Sequence, residues 1–465
     1  MYLPAAFVYA IGKVLWYTTR LTRIGGGSAA PGLVALKLNP NLLTSIRKQI
    51  TGPCIIVAGT NGKTTTASLI RASIAKEQKH SRILHNATGS NLSRGIVSAY
   101  IQNYRLFRPK TTYSSAVIEV DEAVLPQILS TLCPTHLVLT NLFRDQLDRY
   151  GEIESIKQKW LLALRKLDSK CNLFLNFADP QIAHLILQLQ NPNLQIHTYL
   201  LRDTSAPLPD PSQNILSPLE QGICPECNSL LALRHSAIIG QGIFSCNMCK
   251  FHNSDPSYIL TRNVNSDQLV TKNQQAPLQL HTQQKDAISL QNTLAAYTVL
   301  QHLQSKISFE ELAQNSPQKF GRFEKIPTPN GEMMLVLIKN PTGFTESLRS
   351  VAHQAYPFQS VAFILNDNLA DGQDISWIWD APLHKYLPQT QNTVYVSGSR
   401  ALDMALRLSY ALPAETTTQI TTKLSELLQN LVHKKDSSIV FATYTAMLEI
   451  QSWLAENKIK TAYWK

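Results

Sequence analysis

The stretch CIIVAGTNGKTTTASLIRASIAKE, residues 54–77, decides the fold of this chain. Residues 54–60 form a short apolar run that closes around a glycine, which predicts a buried strand, and residues 63–77 predict a helix. Gly59 and Gly62 frame the tight turn between them and leave no Cβ in the path of a ligand. Because backbone N–H groups at the start of a helix attract anionic oxygens, this strand, turn and helix predict a phosphate-binding loop.

The predicted loop is shorter than the common phosphate-loop pattern, whose first glycine would fall at Val57. Lys63 would neutralise charge on the β- and γ-phosphates of a nucleotide, and Thr64 would offer its hydroxyl to Mg²⁺. The residues predicted to bind ATP in this loop are Gly59, Thr60, Asn61, Gly62, Lys63, Thr64 and Thr65.

Magnesium bound to a nucleotide also needs a carboxylate from the protein. The segment VIEVDEA, residues 117–123, ends a second predicted strand and places Glu119 where a ligand at the sheet edge could reach the phosphates. We predict Thr64 and Glu119 as the Mg²⁺ ligands, with Asp121 and Glu122 as close alternatives.

Short apolar runs alternate with helical stretches on both sides of a predicted boundary near Ser316. This alternation predicts an α/β fold in which helices cover parallel sheets. We expect a basic and apolar helical segment over 1–50, an ATPase domain over 51–315 and a second α/β domain over 316–465. The predicted strands are 54–60, 115–120, 135–141, 172–177, 334–339, 360–366, 392–398 and 438–444.

Four of the seven cysteines form two C-x-x-C pairs, Cys224 with Cys227 and Cys246 with Cys249, with eighteen residues between the pairs. Two such pairs supply four thiolates in the tetrahedral arrangement that Zn²⁺ prefers, and a site filled by sulfur is structural rather than catalytic. Prolines and polar residues around the pairs indicate an insertion, the zinc ribbon, over about residues 218–255. A ribbon that binds nucleic acid and a redox-active pair are the alternatives.

The N-terminal part of the chain is basic and apolar. The formal net charge is +11 at pH 7, and no Asp or Glu occurs before Glu77. This placement suits an anionic membrane surface or a phosphate-bearing ligand, and equally a solvated basic face. Gly12 and Lys13 interrupt the apolar run over residues 1–19. We therefore expect a helix that lies in a membrane interface or packs on the body, with an organelle transit peptide as a further alternative.

Four motifs follow one another in the first half of the chain: GTNGKTTT at 59–66, VIEVDEA at 117–123, TNLFRDQLDRYGE at 140–152 and LNFADP at 175–180. In this order they resemble the central ATPase domain of the Mur ligase family, whose members use the shortened loop. Two more segments, HNATGSNLSRGI at 85–96 and LNDNLADGQDISWIWDA at 365–381, narrow the resemblance to the MurT-like ligase subunits of lipid II isoglutaminyl synthases. Within the second segment, DGQDISW is the most specific part, because ordinary Mur ligases lack it.

The resemblance implies a Mur-ligase-like central P-loop ATPase domain with a parallel sheet and a four-cysteine zinc-ribbon insertion, followed by a C-terminal α/β domain. It also implies ATP-dependent amidation of the D-glutamate α-carboxylate of the lipid II stem peptide to D-isoglutamine, through an acyl phosphate. The implied location is cytoplasmic, at the inner face of the plasma membrane. Ammonia would come from a separate, GatD-like glutaminase subunit, because no free cysteine of this chain lies on a nucleophile-elbow pattern.

The resemblance assigns roles to three further residues. Asp374 would orient the catalytic histidine of the glutaminase subunit, Asn292 would lie on the adenine side of the nucleotide, and Arg322 would reach its phosphates. Asp371 is the nearest competitor of Asp374. On pattern alone, both aspartates could instead cap a turn before SWIWD.

The chain also departs from the family. DAISLQN at 286–292 lacks the Gly and Asn that often precede the adenine-side asparagine, and LIKNPTGF at 337–344 replaces the Asp-Tyr-Ala-His-Asn-Pro run of ordinary Mur ligases, a loss that MurT-like proteins share. Asn176 and Asp179 lie where the family has its LNADDP segment, and the resemblance assigns them no defined role. The alternative enzyme is an amino-acid-adding Mur or folylpolyglutamate ligase. The alternative class is a zinc-ribbon protein acting on nucleic acid, but the chain has no interleaved aromatic and basic stripe, so no nucleic-acid partner is expected.

Overall fold

The computed structural model describes residues 2–22, 29–79, 81–86, 91–105, 112–143, 153–204, 222–263, 267–272, 277–280, 286–315, 322–353, 358–387, 393–434 and 437–460. The described residues up to 315 form one compact unit, and those from 322 onward form a second. Residues 87–90 and 144–152, which carry parts of two of the motifs quoted above, lie outside these ranges. The domain boundaries at residues 50 and 315 stay predictions.

The first unit is built on one mixed sheet. Its order within the described residues is β11-β10-β9-β6-β5-β4-β1-β3-β2, and the hairpin of β7 and β8 is attached to β6. The strands from β2 through β6 run parallel, as the sequence predicts. These strands are β1 (Cys54–Ala58), β2 (Ile83–His85), β3 (Ser115–Val120), β4 (His136–Leu139), β5 (Cys171–Asn176), β6 (Leu194–Asp203), β7 (Leu231–Ile238), β8 (Gln241–Cys246), β9 (Tyr258–Arg262), β10 (Asp267–Thr271) and β11 (Leu278–Leu280).

Strand β1 lies in the middle of the parallel strands because all its residues are apolar and buried. Ala58, its last residue, lies opposite Val120 of β3 on one side and Leu139 of β4 on the other. The carboxyl ends of parallel strands meet at one edge of a sheet, where ligands of α/β proteins bind. This register therefore brings together the three segments that follow β1, β3 and β4.

Helices pack against this sheet and against one another. The longest buried one, α9, begins after Asp286, whose Oδ1 accepts a hydrogen bond from Ser289 N–H over 2.7 Å. It packs against α4 and against β5 and β6. The helices of this unit are α1 (Ala5–Thr22), α2 (Ala30–Leu38), α3 (Leu42–Arg47), α4 (Lys63–Glu77), α5 (Ser93–Asn103), α6 (Leu125–Leu132), α7 (Ile153–Arg165), α8 (Pro180–Gln188), α9 (Ala287–His302) and α10 (Phe309–Gln314).

The N-terminal helix α1 packs on the body of the first unit. Tyr9 lies against two tyrosines of the α5 region, with ring centroids 4.7 Å from Tyr100 and 5.3 Å from Tyr104. Gly12 faces Ile101 of α5 so closely that a Cβ would stand 2.6 Å from its side chain. Within the described residues, no helix combines the length and apolar character that crossing a bilayer requires.

The second unit is a smaller α/β domain whose sheet has the order β12-β13-β17-β14-β15-β16. Strand β12 is antiparallel to β13, and the other pairs are parallel. Phe363 and Phe441 stack at 5.2 Å between ring centroids within the core. Its elements are β12 (Arg322–Thr328), β13 (Gly331–Leu337), α11 (Pro341–His353), β14 (Ser360–Ile364), a 3₁₀ helix (Ser376–Trp379), α12 (Leu383–Tyr386), β15 (Thr393–Ser397), α13 (Ala401–Ser409), β16 (Thr417–Ile420), α14 (Leu424–His433), β17 (Ser438–Ala442) and α15 (Tyr444–Glu456).

Each of the eight predicted strands is present, with ends that differ by a few residues. The α/β class and the second α/β domain are therefore confirmed. The sequence analysis missed several strands, among them the inner strand β10 and the edge strands β12 and β16. These strands are short or partly polar, and they gain order from a neighbouring strand rather than from an apolar pattern of their own.

Candidate functional site

The nucleotide loop, residues 59–62, joins the carboxyl end of β1 to the first residue of α4. Gly59 has φ 131° and Gly62 has φ 87°, both in the region that favours glycine. A Cβ on Gly59 would stand 2.3 Å from Thr140 Oγ1, and one on Gly62 would stand 2.1 Å from Asn292 Oδ1. The backbone conformation and the crowded surroundings therefore both require glycine at these positions.

The segment after β4 holds the nucleotide loop in place. Thr60 N–H donates to Asn141 O over 3.1 Å, and Asn61 N–H donates to Asn141 Oδ1 over 2.8 Å. In return, Thr140 Oγ1 and Asn141 Nδ2 donate to Asn61 O over 2.7 and 3.0 Å. The loop is thus preorganised, and an anion would meet the N–H groups of the first turn of α4, which have no intrahelical acceptor.

Lys63 lies over the nucleotide loop rather than in solvent. Its Nζ donates to Gly59 O over 2.5 Å and to Thr60 O over 3.0 Å. The same atom forms an ion pair with Glu122 Oε2 at 3.3 Å, and both side chains are buried. A buried ammonium requires such compensation, and a terminal phosphate could compete for it.

The two predicted magnesium ligands, Thr64 and Glu119, lie in different surroundings. Thr64 is exposed on the first turn of α4, next to the loop, whereas Thr65 is buried. Glu119 lies opposite Val57 in the sheet and is partly buried, and its backbone exchanges hydrogen bonds with Asn86. The carboxylate in contact with Lys63 belongs to Glu122, one of the two alternatives. Glu119 as a Mg²⁺ ligand stays a prediction.

Asn292 approaches the loop from α9. It is 3% exposed, and its Nδ2 has no hydrogen-bond acceptor within the described part of the chain. A buried amide donor without an acceptor is costly to the fold, so a group supplied by a ligand fits this position. Together with the glycine cradle, this donor makes the site suitable for a nucleotide. Arg322 begins β12, but its side chain lies outside the described part of the structure.

A buried polar network lies behind the nucleotide loop. Asp179 caps α8 and accepts hydrogen bonds from Gln181 N–H and from Leu142 N–H, at 2.8 and 2.9 Å. Burial raises the pKa of Asp179 to about 6, against the opposing effect of its backbone N–H donors. Asn176 Nδ2 donates to Thr140 O over 2.8 Å. Asn176 and Asp179 therefore support the segment that holds the loop.

Sequence reasoning missed Gln241, which ties this network to the insertion. Gln241 lies at the start of β8, and its Oε1 accepts from Asn176 Nδ2 over 3.1 Å and from Gln291 Nε2 over 2.6 Å. Its Nε2 lies 3.5 Å from Asp179 Oδ2. No pattern in the sequence marks Gln241, because its partners lie on β5, α8 and α9.

The four predicted cysteine ligands come together. The Sγ atoms of Cys224, Cys227, Cys246 and Cys249 all lie within 4.8 Å of one another, as four ligands of one metal ion would. Hydrogen bonding to Ser229 Oγ lowers the pKa of the Cys246 thiol and favours the thiolate that a metal needs. This geometry fits a closed, structural metal site.

The two aspartates of DGQDISW are used differently in the second unit. Asp371 is buried, and its two oxygens accept from Thr445 N–H over 2.7 Å and from Thr445 Oγ1 over 2.5 Å. Asp374 is partly exposed, and its Oδ1 accepts from Ser376 N–H over 2.9 Å. Asp374 therefore does cap the turn before SWIWD, but no described residue donates to its Oδ2. Asp371 is committed to the fold, whereas Asp374 keeps one oxygen available.

An apolar surface lies close to this turn. Trp379 is the last residue of the 3₁₀ helix that follows this turn, and its ring lies 5.6 Å from the ring of Tyr410. The guanidinium of Arg407 lies over the Trp379 ring at 5.4 Å and donates to Ala381 O. The exposed side chains of this surface are Trp379, Leu402, Leu406 and Tyr410.

Two known protein families match this chain, one within each of its two units. The Mur ligase middle domain family matches residues 57–213, and the MurT ligase C-terminal family matches residues 337–447. The chain is thus an enzyme of the Mur ligase family, a class of ATP-dependent ligases. It is 32% identical over 447 residues to the lipid II isoglutaminyl synthase (glutamine-hydrolyzing) subunit MurT of Streptococcus pneumoniae, covering 94% of this chain and 95% of that protein. Within the Mur ligases, the chain belongs to the MurT family.

Solved structures show the same fold at low sequence identity. A pseudomurein peptide ligase type C from Methanothermus fervidus matches with a TM-score of 0.64 and 17% identity, over 91% of this chain and 84% of that one. A MurF ligase from Thermotoga maritima, solved in complex with ADP, matches with a TM-score of 0.58 and 13% identity, over 91% of this chain and 84% of that one.

Proposed function

We propose that this chain is the amidating ligase subunit of a lipid II isoglutaminyl synthase. A carboxylate oxygen of D-glutamate in the lipid II stem peptide attacks the γ-phosphorus of ATP, and ADP leaves. Ammonia then attacks the acyl carbon, phosphate leaves with the former carboxylate oxygen, and the amide of D-isoglutamine remains. The activation is needed because a carboxylate is a poor electrophile in water. The name of the Streptococcus pneumoniae relative supports this substrate and product.

The unequal use of the two aspartates in DGQDISW carries the proposal. An ordinary amino-acid-adding ligase needs no carboxylate that is hydrogen-bonded through one oxygen and left partly exposed in its C-terminal domain. Asp374 is such a group, fixed through Oδ1 by Ser376 N–H, while Asp371 secures the loop through Thr445. A carboxylate held this way can orient an imidazole, as the third member of a catalytic triad does.

The partner in this proposal is a GatD-like glutaminase subunit that supplies ammonia from glutamine. Its catalytic cysteine and histidine would meet Asp374 at the interface. The exposed apolar surface of Trp379, Leu402, Leu406 and Tyr410 lies beside the same turn and suits a protein interface, where large aromatic and apolar side chains contribute most.

In the first unit, the residues of the nucleotide loop bind and orient ATP. Lys63 would exchange its contacts with Gly59 O and Glu122 for the terminal phosphate and stabilise negative charge during transfer. Thr64, with Glu119 or Glu122, would hold Mg²⁺, which supplies further charge neutralisation when bound. Asn292 would bind on the adenine side and Arg322 on the phosphate side.

The four cysteines would hold a structural Zn²⁺, and β8 would transmit the order of the ribbon to the loop through Gln241. The proposed place of work is the cytoplasmic face of the plasma membrane, where a lipid-linked precursor would be reached by a peripheral enzyme.

Mass spectrometry of the product tests this function. The chain is incubated with a GatD-like glutaminase, ATP, Mg²⁺, glutamine and lipid II, and in parallel with ammonia in place of glutamine and partner. Exchange of a hydroxyl for an amide lowers the mass of lipid II by about one unit, whereas addition of an amino acid raises it by on the order of a hundred. A gain of the second kind, or no change with either nitrogen source, would contradict the proposal.

A further inference from the structure

The outward side of helix α1 carries a continuous apolar stripe. Four large apolar side chains of α1, spaced by three, four or seven residues, fall on one side of the helix, and a fifth, Leu3, lies two residues before its first turn. Their exposed fractions range from 38% to 82%. We call this stripe the α1 face, and its members are Leu3, Phe7, Val14, Tyr17 and Leu21.

The opposite side of α1 is already used by the fold. Val8, Tyr9 and Gly12 are buried against the body of the first unit. The Lys13 ammonium donates to Gln102 O and lies 4.5 Å from the centre of the Trp16 ring. The helix is thus apolar on two opposite sides, and packing within the described chain explains only one of them.

Helix α2 continues the exposed apolar surface. Its Leu33 and Val34 are exposed, and Lys37 lies one turn further along the same side and is also exposed. Asn39, which follows α2, donates through Nδ2 to Leu3 O over 2.8 Å, so the end of α2 lies at the beginning of the α1 face. Apolar and basic side chains are therefore neighbours on this surface.

All charged side chains in the N-terminal segment that contains the α1 face are basic. The first 76 residues contain no Asp or Glu, but they contain nine Lys and Arg, of which Lys37, Lys48, Arg71 and Lys76 are exposed. A surface that combines exposed apolar and aromatic side chains with uncompensated cations is complementary to the headgroups and acyl boundary of an anionic bilayer. A protein partner would need a large acidic surface to match it.

We infer that the α1 face, together with Leu33, Val34 and Lys37, docks the chain on the surface of an anionic lipid bilayer. The helix lies along the interface with Leu3, Phe7, Val14, Tyr17 and Leu21 in the acyl boundary, while its inner side stays on the protein. The inference deepens the proposed function and rests on it in one respect, that the substrate is carried by a lipid.

Vesicle flotation tests the inference. The full chain is mixed with vesicles of phosphatidylglycerol and phosphatidylcholine, or of phosphatidylcholine alone, and the bound fraction is measured at low and high salt. We expect binding to the anionic vesicles that weakens with salt. The triple variant Phe7→Ser, Val14→Ser, Leu21→Ser should reduce partitioning by roughly tenfold or more, since three apolar side chains leave the acyl boundary.

Two further variants serve as controls, one for exposed leucines elsewhere in the chain and one for charge alone. Leu402→Ser with Leu406→Ser removes equally exposed leucines from α13 of the second unit and should leave vesicle binding unchanged. Lys37→Glu with Lys48→Glu leaves the apolar face intact and should weaken binding to anionic vesicles only. Absence of flotation for the unaltered chain, or equal flotation of the triple variant, would overturn the inference. Sedimentation that shows a dimer of this chain, lost in the triple variant, would also overturn it, because a second copy would then cover the face.

Activity on detergent-dispersed lipid II separates this inference from the proposed function. The triple variant should keep its ammonia-dependent amidation there, since none of its changes lies at the nucleotide loop. Vesicle binding without any amidation would remove the proposed function and leave the docking surface standing. Amidation by a chain that does not bind vesicles would overturn the docking inference and leave the proposed function standing.

Discussion

Both sheets gather polar side chains at the carboxyl ends of their parallel strands, but the two groups are completed in different ways. At the first sheet, Lys63 contacts its own loop and Glu122, and Asn141 both donates to and accepts from that loop. At the second sheet, Asp371 is paired with Thr445, whereas Asp374 is held by one hydrogen bond and stays partly exposed.

In the proposed function, this difference has a purpose, because the first site would bind a nucleotide whereas the second would meet another protein. The first is held in shape by Thr140 and Asn141 of the same unit, and a phosphate would compete for the contacts of Lys63. The second presents a partly exposed carboxylate near exposed Trp379 and Tyr410, and in the proposed function an imidazole from the partner subunit would complete it. Substitutions at either site can test this difference.

The largest effect is expected from Lys63→Ala. Removal of the ammonium takes away the charge that faces the transferred phosphate and leaves Glu122 buried without its cation. We expect turnover with either ammonia or glutamine to fall by about 10³-fold or more, because phosphoryl transfer depends on such charge stabilisation. The control is Lys76→Ala on the same helix, whose side chain is 65% exposed. Comparable loss in both variants would show that Lys63 has no special role.

Asp374→Asn should impair the reaction that uses glutamine but not the reaction that uses ammonia. We expect partner-dependent glutamine hydrolysis to fall by roughly 10²- to 10⁴-fold, as when the carboxylate of a triad is lost, while ammonia-dependent ligation is spared. Steady-state rates with glutamine and with ammonia measure the split.

Asp371→Asn is the matched control for that experiment. It removes an acceptor from Thr445 N–H and Oγ1, so the free energy of unfolding should fall by about 1–3 kcal/mol. If Asp371→Asn, and not Asp374→Asn, abolishes glutamine hydrolysis in a folded protein, the two roles are reversed.

Gln241→Ala tests whether the ribbon supports the nucleotide loop. The change leaves Asn176 and Gln291 without their shared acceptor in a buried network, so we expect a loss of about 2–4 kcal/mol in stability and weaker nucleotide binding. Denaturant unfolding and calorimetry with Mg-ADP measure these two effects. The control is Gln127→Ala, an exposed position on α6. Unchanged nucleotide affinity would show that the ribbon does not support the nucleotide loop.

The smallest effect is expected at the opposite end of the first sheet, where His136, His197 and His302 lie together. Burial and the neighbouring imidazoles lower the pKa of His136 from 6.5 to about 4. The unfolded chain therefore binds more protons than the folded one in this range. The free energy of unfolding should fall as pH drops from 6.5 towards 4, by about 2–3 kcal/mol for this residue.

His136→Phe should flatten that part of the stability profile, and His433→Phe, at an exposed position, should leave it unchanged. Denaturant unfolding at a series of pH values measures the slope. An equally steep acid loss in His136→Phe would assign the sensitivity to other groups.

The parts of the molecule that the sequence predicted share a local cause. The nucleotide loop depends on two glycines and a lysine within five residues, and the metal cluster depends on two short cysteine pairs. The buried strands of both sheets are recognisable in the sequence as continuous apolar runs, because strands covered on both faces have no polar side. Each of these patterns is complete within a short stretch of chain.

Other features were decided only when distant segments met. The sequence left Glu119, Asp121 and Glu122 open as partners of the nucleotide site, and the register of β1 with β3 placed Glu122 at Lys63. Neither did any pattern mark Gln241, whose partners on β5 and α9 lie 65 and 50 residues away. The choice between Asp371 and Asp374 likewise depends on Thr445, 74 residues beyond Asp371. Residue types within a few positions determine a turn or a ligand pair, whereas long-range packing determines which of several equivalent polar groups is consumed by the fold and which remains for chemistry.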